Sequence, residues 1–210
     1  GIFGGPFIPG LARLEGLLVA VLLSEPFHAR GAWTADACEK VIRFVDLAET
    51  FHMPIVHLVD CPGFMIGVEA ERAATIRLGV RAMAAINQTT VPWCSIIIRN
   101  VFGVAGAAHV PAGRFSMRYA WLSAWWGSLP LEGGIEAAYR AEIDAAEDPK
   151  AKLAEIEVRL NALRSPFRTA ETFAVEEIID PRDTRRLLCD FANLAEPLRT
   201  PGPRTFGMRP

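Results

Sequence analysis

The chain has 210 residues, enough for one sizeable core, and 51% of them are apolar, which excludes a disordered polypeptide. Its formal charge of −2 gives no support for nucleic-acid binding as a main role. The 4 cysteines, at positions 38, 61, 94 and 189, lack CxxC spacing, so the sequence indicates no metal site and predicts reduced, buried thiols in a cytoplasmic protein. No apolar run is long enough to cross a bilayer, and the opening Gly1-Ile2-Phe3-Gly4 has no basic signal segment, so no membrane role is expected. A chain that opens on Gly1 reads as a processed or incomplete piece of a larger polypeptide.

Residues 17–23 read as a strand buried on both faces. A loop over 24–33 leads to Thr34 and Asp36, which can open a helix. Its apolar positions Ala37, Val41, Phe44, Val45, Ala48 and Phe51 recur at helical spacing. Pro54 stops this helix ahead of a second strand over 55–59. A corner at 60–67 then enters another helix reaching Asn87, with Ala73, Ile76, Val80, Met83 and Ala84 as its apolar face. Pro92 separates that helix from a third strand over 94–98. This alternation predicts a layered α/β domain with mainly parallel strands.

Farther along, the aromatic stretch 118–127 suits a subunit interface or, as a weaker alternative, the wall of a flat pocket. Residues 136–146 look helical. Asp148-Pro149 pairs a cap with proline at the first helical position and opens a helix through Leu163, which Ser165-Pro166 breaks. Asp180-Pro181 repeats the start signal before a final helix near Leu194. Arg164, Arg168, Arg182, Arg185 and Arg186 read as solvated helix ends. One domain over 1–196 and a flexible tail over 197–210 are expected.

Two glycine corners at strand ends carry the candidate chemistry. In the first, Asp60-Cys61-Pro62-Gly63-Phe64-Met65, Pro62 fixes the approach and Gly63 lets backbone come close to a planar group. Phe64 and Met65 are its candidate apolar wall, and Asp60 is better suited to bracing the turn than to acting as a base. In the second, Phe102-Gly103-Val104-Ala105-Gly106-Ala107, the residues after Phe102 are nearly all small and none is ionisable. Small residues at a helix start let a carbonyl oxygen approach backbone N–H groups. Tight packing would explain the same composition. Neither a phosphate-loop Gly-Lys-Ser/Thr element nor GxGxxG is present.

Several motifs in order now point to a family. The run from Asp36 to Phe44, then Pro54-Ile55-Val56, Asp60-Cys61-Pro62-Gly63-Phe64, Thr90-Val91-Pro92, the run from Arg99 to Ala105, and Tyr119-Ala120-Trp121 resemble the carboxyltransferase β subunits of biotin-dependent acyl-CoA carboxylases, such as propionyl-CoA carboxylase. The likeness covers about residues 17–194 and only the C-terminal half of such subunits. It implies a crotonase-like fold, a spiral of ββα units with peripheral C-terminal helices. It further implies that biotin, carried on a carrier protein or domain, is the cofactor and that a coenzyme A thioester is the substrate.

By the same resemblance, the oxyanion amides for biotin fall on Val104 and Ala105, and Pro62, Gly63, Phe64, Gly103 and Gly106 surround the cofactor. Carboxybiotin releases carbon dioxide, and the enolate of the acyl-CoA attacks it. Implied partners are an N-terminal-type carboxyltransferase domain or chain, a biotin carboxyl carrier and a biotin carboxylase, in an oligomer with a hexameric core as the family's pattern. The sequence departs from that pattern at two places. Val104 replaces a glycine, which requires a negative φ, and Ala107 replaces an acid that shapes the acyl pocket, alongside Met65 as a pocket residue. A biotin-independent crotonase-like hydrolase, isomerase or decarboxylase, and a noncatalytic scaffold subunit, are the alternatives.

Overall fold

The computed structural model describes residues 3–128 and 134–203. Its first strands, β1 (Phe7–Leu14) and β2 (Leu17–Ser24), form a hairpin. They are followed by α1 (Ala35–Thr50), β3 (Ile55–Cys61), α2 (Val68–Arg72), α3 (Thr75–Gln88), β4 (Trp93–Phe102) and α4 (Gly103–Ala107). The second half contains β5 (Ser116–Trp121), β6 (Trp125–Gly127), α5 (Gly134–Ala138), α6 (Arg140–Asp144), α7 (Pro149–Ala162), α8 (Pro166–Glu171), β7 (Glu177–Ile179) and α9 (Thr184–Ala195). The sheet runs β1-β2-β3-β4-β5-β7, and β6 pairs with the far end of β4. β1 is antiparallel to β2, and the other pairings are parallel.

Parallel strands covered on both faces need apolar side chains in both directions, which is why β2, β3 and β4 lack polar alternation. One face, with Ile55, Val59, Trp93 and Ile97, packs against Val41, Phe44 and Val45 of α1 and Ala82, Ala85 and Ile86 of α3. The opposite face, with Val56, Cys94, Ile96 and Tyr119, packs against Leu187, Phe191 and Ala192 of α9. Thr34 caps α1, accepting from the Ala37 N–H at 3.2 Å. At the other end of α1, the buried Glu49 carboxylate accepts from the Thr89 hydroxyl at 2.7 Å and the Thr90 N–H at 2.9 Å. That contact ties the helix to the turn before β4. The four cysteines are free and buried.

The structure departs from the sequence expectations in several places. β1 carries Pro9 and Gly10 and exposes Ile8 and Leu11, so it lacks the apolar run that marks the buried strands. The helix expected to run continuously to Asn87 is broken at Ala74, which adopts a left-handed conformation. Its buried face consists of Thr75, Gly79, Ala82, Ala85 and Ile86, while Ala73, Ile76 and Val80 face outward. Small residues face α1 because the two helices pack closely there, and the Phe64 ring occupies the space above Gly79. The aromatic stretch 118–127 forms parts of β5 and β6, and the Trp121 indole donates to Thr184 at 3.0 Å.

The later start signals do what their chemistry predicts. Asp148 accepts from the Lys150 and Ala151 N–H groups at the start of α7, and Asp180 accepts from the Arg182 N–H. Of the expected tail, Arg199 donates to the His52 carbonyl at 2.9 Å, and residues 204–210 lie outside the described residues. No described helix is long and apolar enough to cross a membrane.

Candidate active site

The first corner is fastened to the segment before α1. Trp33 donates its N–H to the Gly63 carbonyl at 3.0 Å, and Met65 donates its own to the Trp33 carbonyl at 3.0 Å. The Phe64 ring meets Trp33 edge-on, with centroids 5.8 Å apart. It therefore anchors the corner to the core, with the ring left half-buried. Met65 is half-buried and lines neither cavity described below. A Cβ built on Gly63 would lie 3.7 Å from the Phe102 carbonyl oxygen, so the two corners abut.

The second corner is a strand-to-helix handover. Phe102 is extended and offers no side-chain cap, and Gly103 turns the chain with a φ of 61°. A side chain at that φ would be strained, so glycine fits the position. Val104 keeps a negative φ, and its side chain is exposed while that of Ala105 is buried. Gly106 is needed for a different reason: a Cβ there would come 2.7 Å from the Val101 carbonyl carbon. The short helix thus presses its back on β4. Its first N–H groups, including those of Val104 and Ala105, have no acceptor within the helix.

Asp60 braces this arrangement. Its buried carboxylate accepts from Arg99 Nε at 3.0 Å and from the Asn100 N–H at 3.1 Å, and pairs with the Arg99 guanidinium at 2.9 Å. The brace spans the point where the β3–β4 register shifts. Replacing Asp60 with alanine strands the Asn100 N–H and is expected to lower stability by about 1–3 kcal/mol. Urea unfolding measures this, and a change below about 0.5 kcal/mol would remove Asp60 as a brace.

One member of the arginine cluster is not solvated. Arg164 is only 3% exposed and lies over the Phe102 ring, 4.9 Å from its centroid. Burial lowers its pKa. With Trp126, Gly127, Ser128, Tyr139, Leu160 and Leu163 it lines a cavity of about 130 Å³. A larger cavity of about 460 Å³ lies past the exit of α4, where Ala107 and Ala108 meet Met83, Asn87, Val110 and Arg118. Ala107 is exposed at its edge, and no residue of the first corner lines it.

The structure therefore brings Pro62, Gly63 and the run from Phe102 to Gly106 together, directs the Phe64 ring inward, and places Ala107 beside the larger cavity. Arg99, Asn100 and Arg164 are additions that the sequence did not disclose. The partners of Asp60 lie 39 and 40 positions away and meet it only through sheet register. Among the described residues, no group of three or more His, Cys, Asp or Glu side chains could hold a metal ion.

Comparison with known proteins places this geometry. The model of the carboxyl transferase domain matches residues 2–205. The methylmalonyl-CoA carboxyltransferase 12S subunit of Propionibacterium freudenreichii subsp. shermanii is 35% identical over 182 residues, covering 85% of this chain and 34% of that protein. The carboxyltransferase subunit of propionyl-CoA carboxylase from Haloferax mediterranei is 33% identical over 197 residues, covering 91% of this chain and 38% of that one. The chain thus spans little more than a third of the length of these relatives.

A solved transcarboxylase 12S structure, described as a hexamer with methylmalonyl-coenzyme A and methylmalonic acid bound, superposes with a TM-score of 0.82. It is 30% identical and covers 97% of this chain and 40% of that one. The mixed sheet with peripheral helices is the crotonase-like fold of that structure. The chain belongs to the carboxyl transferase domain family, of the type found in the β subunits of biotin-dependent acyl-CoA carboxylases.

Proposed function

We propose that this chain is the biotin-facing part of an acyl-CoA carboxyltransferase that moves a carboxyl group from carboxybiotin to the α-carbon of an acyl-CoA. The observation that carries the proposal is the pair of abutting corners, with the uncapped start of α4 at their junction. The donor set suits a biotin ureido group: it is neutral, made of backbone N–H groups, and reached past glycine backbone. Bound there, carboxybiotin supplies the carboxyl group and a ureido oxygen on which negative charge grows.

In this proposal Val104 and Ala105 donate their N–H groups to that oxygen. Gly103 and Gly106 set the position of the donors, and Pro62 and Gly63, held by Phe64, shape the opposing side. Preorganised donors stabilise developing charge without moving during the reaction. Ala107 and Met65 face the acyl group, and the remainder of that site belongs to an N-terminal-type carboxyltransferase domain or chain. A biotin carboxyl carrier and a biotin carboxylase complete the assembly, with a hexameric core like that described for the 12S relative. We place the assembly in the cytoplasm, in keeping with four free cysteines.

The test is carboxyl transfer by the complex that copurifies with this chain. Transfer to an acyl-CoA that avidin blocks is the expected result. An intact complex that moves no carboxyl group to any acyl-CoA, or that acts on acyl-CoA despite avidin, overturns the proposal. Substituting aspartate for Ala107 puts a charge at the edge of the larger cavity. It should shift kcat/KM away from long acyl chains by about 10-fold or more relative to short ones, as a few methylene contacts are worth. Measuring a series of acyl-CoA lengths checks this.

A further inference from the structure

A row of three polar side chains crosses the middle of the parallel sheet. His57 on β3 stands in register with Ser95 on β4, and Ser95 with Arg118 on β5. Their neighbours on this face, Ile55, Val59, Trp93, Ile97 and Ala120, are apolar and buried. Ser95 is completely buried and uses its hydroxyl twice. It accepts from the Trp93 indole at 3.1 Å and donates to the His109 carbonyl at 2.5 Å. The His109 ring turns back toward α4, with Nδ1 2.6 Å from the Gly106 carbonyl oxygen. A carbonyl can only accept, so Nδ1 carries the hydrogen and the tautomer is set by this contact.

We infer that Ser95 and His109 form a latch that fixes α4 and are positioning residues for the amides of Val104 and Ala105, an inference that rests on the proposed carboxyl transfer. A helix of five residues has no stability of its own and takes its position from its attachments. At its entry, β4 delivers Phe102, and Gly106 packs directly on Val101. At its exit, His109 holds the Gly106 carbonyl, while Ser95 on β4 holds the His109 carbonyl. Both ends of the excursion are thus tied to the same strand. Breaking either exit bond lets the helix start shift, and a misplacement of about 1 Å at a reacting centre costs up to about 100-fold in rate.

The test uses the assembled complex. Replacing His109 with phenylalanine keeps a ring and removes the donor, whereas asparagine restores an N–H near the Nδ1 position. The phenylalanine variant should lose about 10-fold or more in kcat, with KM for acyl-CoA and for the biotinylated carrier within about 2-fold. The asparagine variant should recover most of that loss. Ser95→Ala should behave like His109→Phe, and Ser95→Thr should retain activity. Deuterium uptake over 103–109 should rise in His109→Phe and Ser95→Ala, with uptake in α1 and α9 unchanged.

Wild-type kcat together with unchanged uptake in His109→Phe overturns the latch. So does a loss that asparagine fails to rescue while uptake rises throughout the chain. A wild-type complex that moves no carboxyl group, in which uptake over 103–109 still responds as described, overturns carboxyl transfer and leaves the latch standing.

Discussion

Ala105→Pro is expected to lower carboxyl transfer by about 100-fold or more, the scale of a lost oxyanion-hole donor. The substitution removes one N–H and adds no charge. Ala105 lies in the first turn of α4, where proline's fixed φ is compatible with a helix and the missing N–H breaks no intrahelical bond. The side chain is buried, so the ring must be accommodated against β4. Ala105→Ser therefore serves as the control, since it keeps the N–H with little added volume and should retain activity within about 3-fold. The rate is read on complexes shown to assemble by size-exclusion chromatography. An Ala105→Pro complex that assembles and transfers carboxyl at the wild-type rate removes this amide from the site.

The difference between what the sequence disclosed and what it concealed follows from the range of the interactions. Thr34, Asp148 and Asp180 act on N–H groups two or three positions away, so their caps were legible. The interiors of β2, β3 and β4 were legible because strands buried on both faces leave continuous apolar runs. β1 was concealed because only part of it is buried and Pro9 and Gly10 interrupt it. The inner face of α3 escapes the pattern because close packing against α1 puts Gly79, Ala82 and Ala85 inside, while the bulky Ile76 and Val80 face outward.

Within the site, both glycine corners were visible as composition, yet what holds them was not. Asp60 could be read as a brace, but its partners Arg99 and Asn100 come from another strand. Arg164 reads as a solvated helix end, yet its guanidinium lies over the ring of Phe102, 62 positions before it in the numbering. His57 interrupts the apolar run of β3, and the residues next to it in the chain do not show what surrounds its ring. It is in the core, but neither ring nitrogen has a partner of hydrogen-bond geometry.

That buried imidazole makes the fold acid-sensitive. Phe7 and Trp93 flank His57, and burial pushes its pKa down to about 3, with repulsion from His109 adding to the effect and the His109 backbone opposing it. His109 is lowered too, mainly by burial. In the unfolded chain both imidazoles return to about 6.5. Between those limits the unfolded state binds protons that the native state does not, so stability falls as pH drops below about 6.5.

For His57 the loss between pH 7.5 and pH 5.5 is about 1.4 kcal/mol, and His109 adds to it. Carboxylates of ordinary pKa remain ionised over this interval and contribute little. Urea unfolding at the two pH values measures the loss in the wild type and in His57→Leu. Leucine suits the apolar surroundings and leaves no polar atom unpaired, so the variant should fold at pH 7.5. Its loss on acidification should be smaller than that of the wild type by about 1.4 kcal/mol. An equal loss in the two proteins would show that His57 does not titrate on unfolding in this range, and that burial does not hold it neutral.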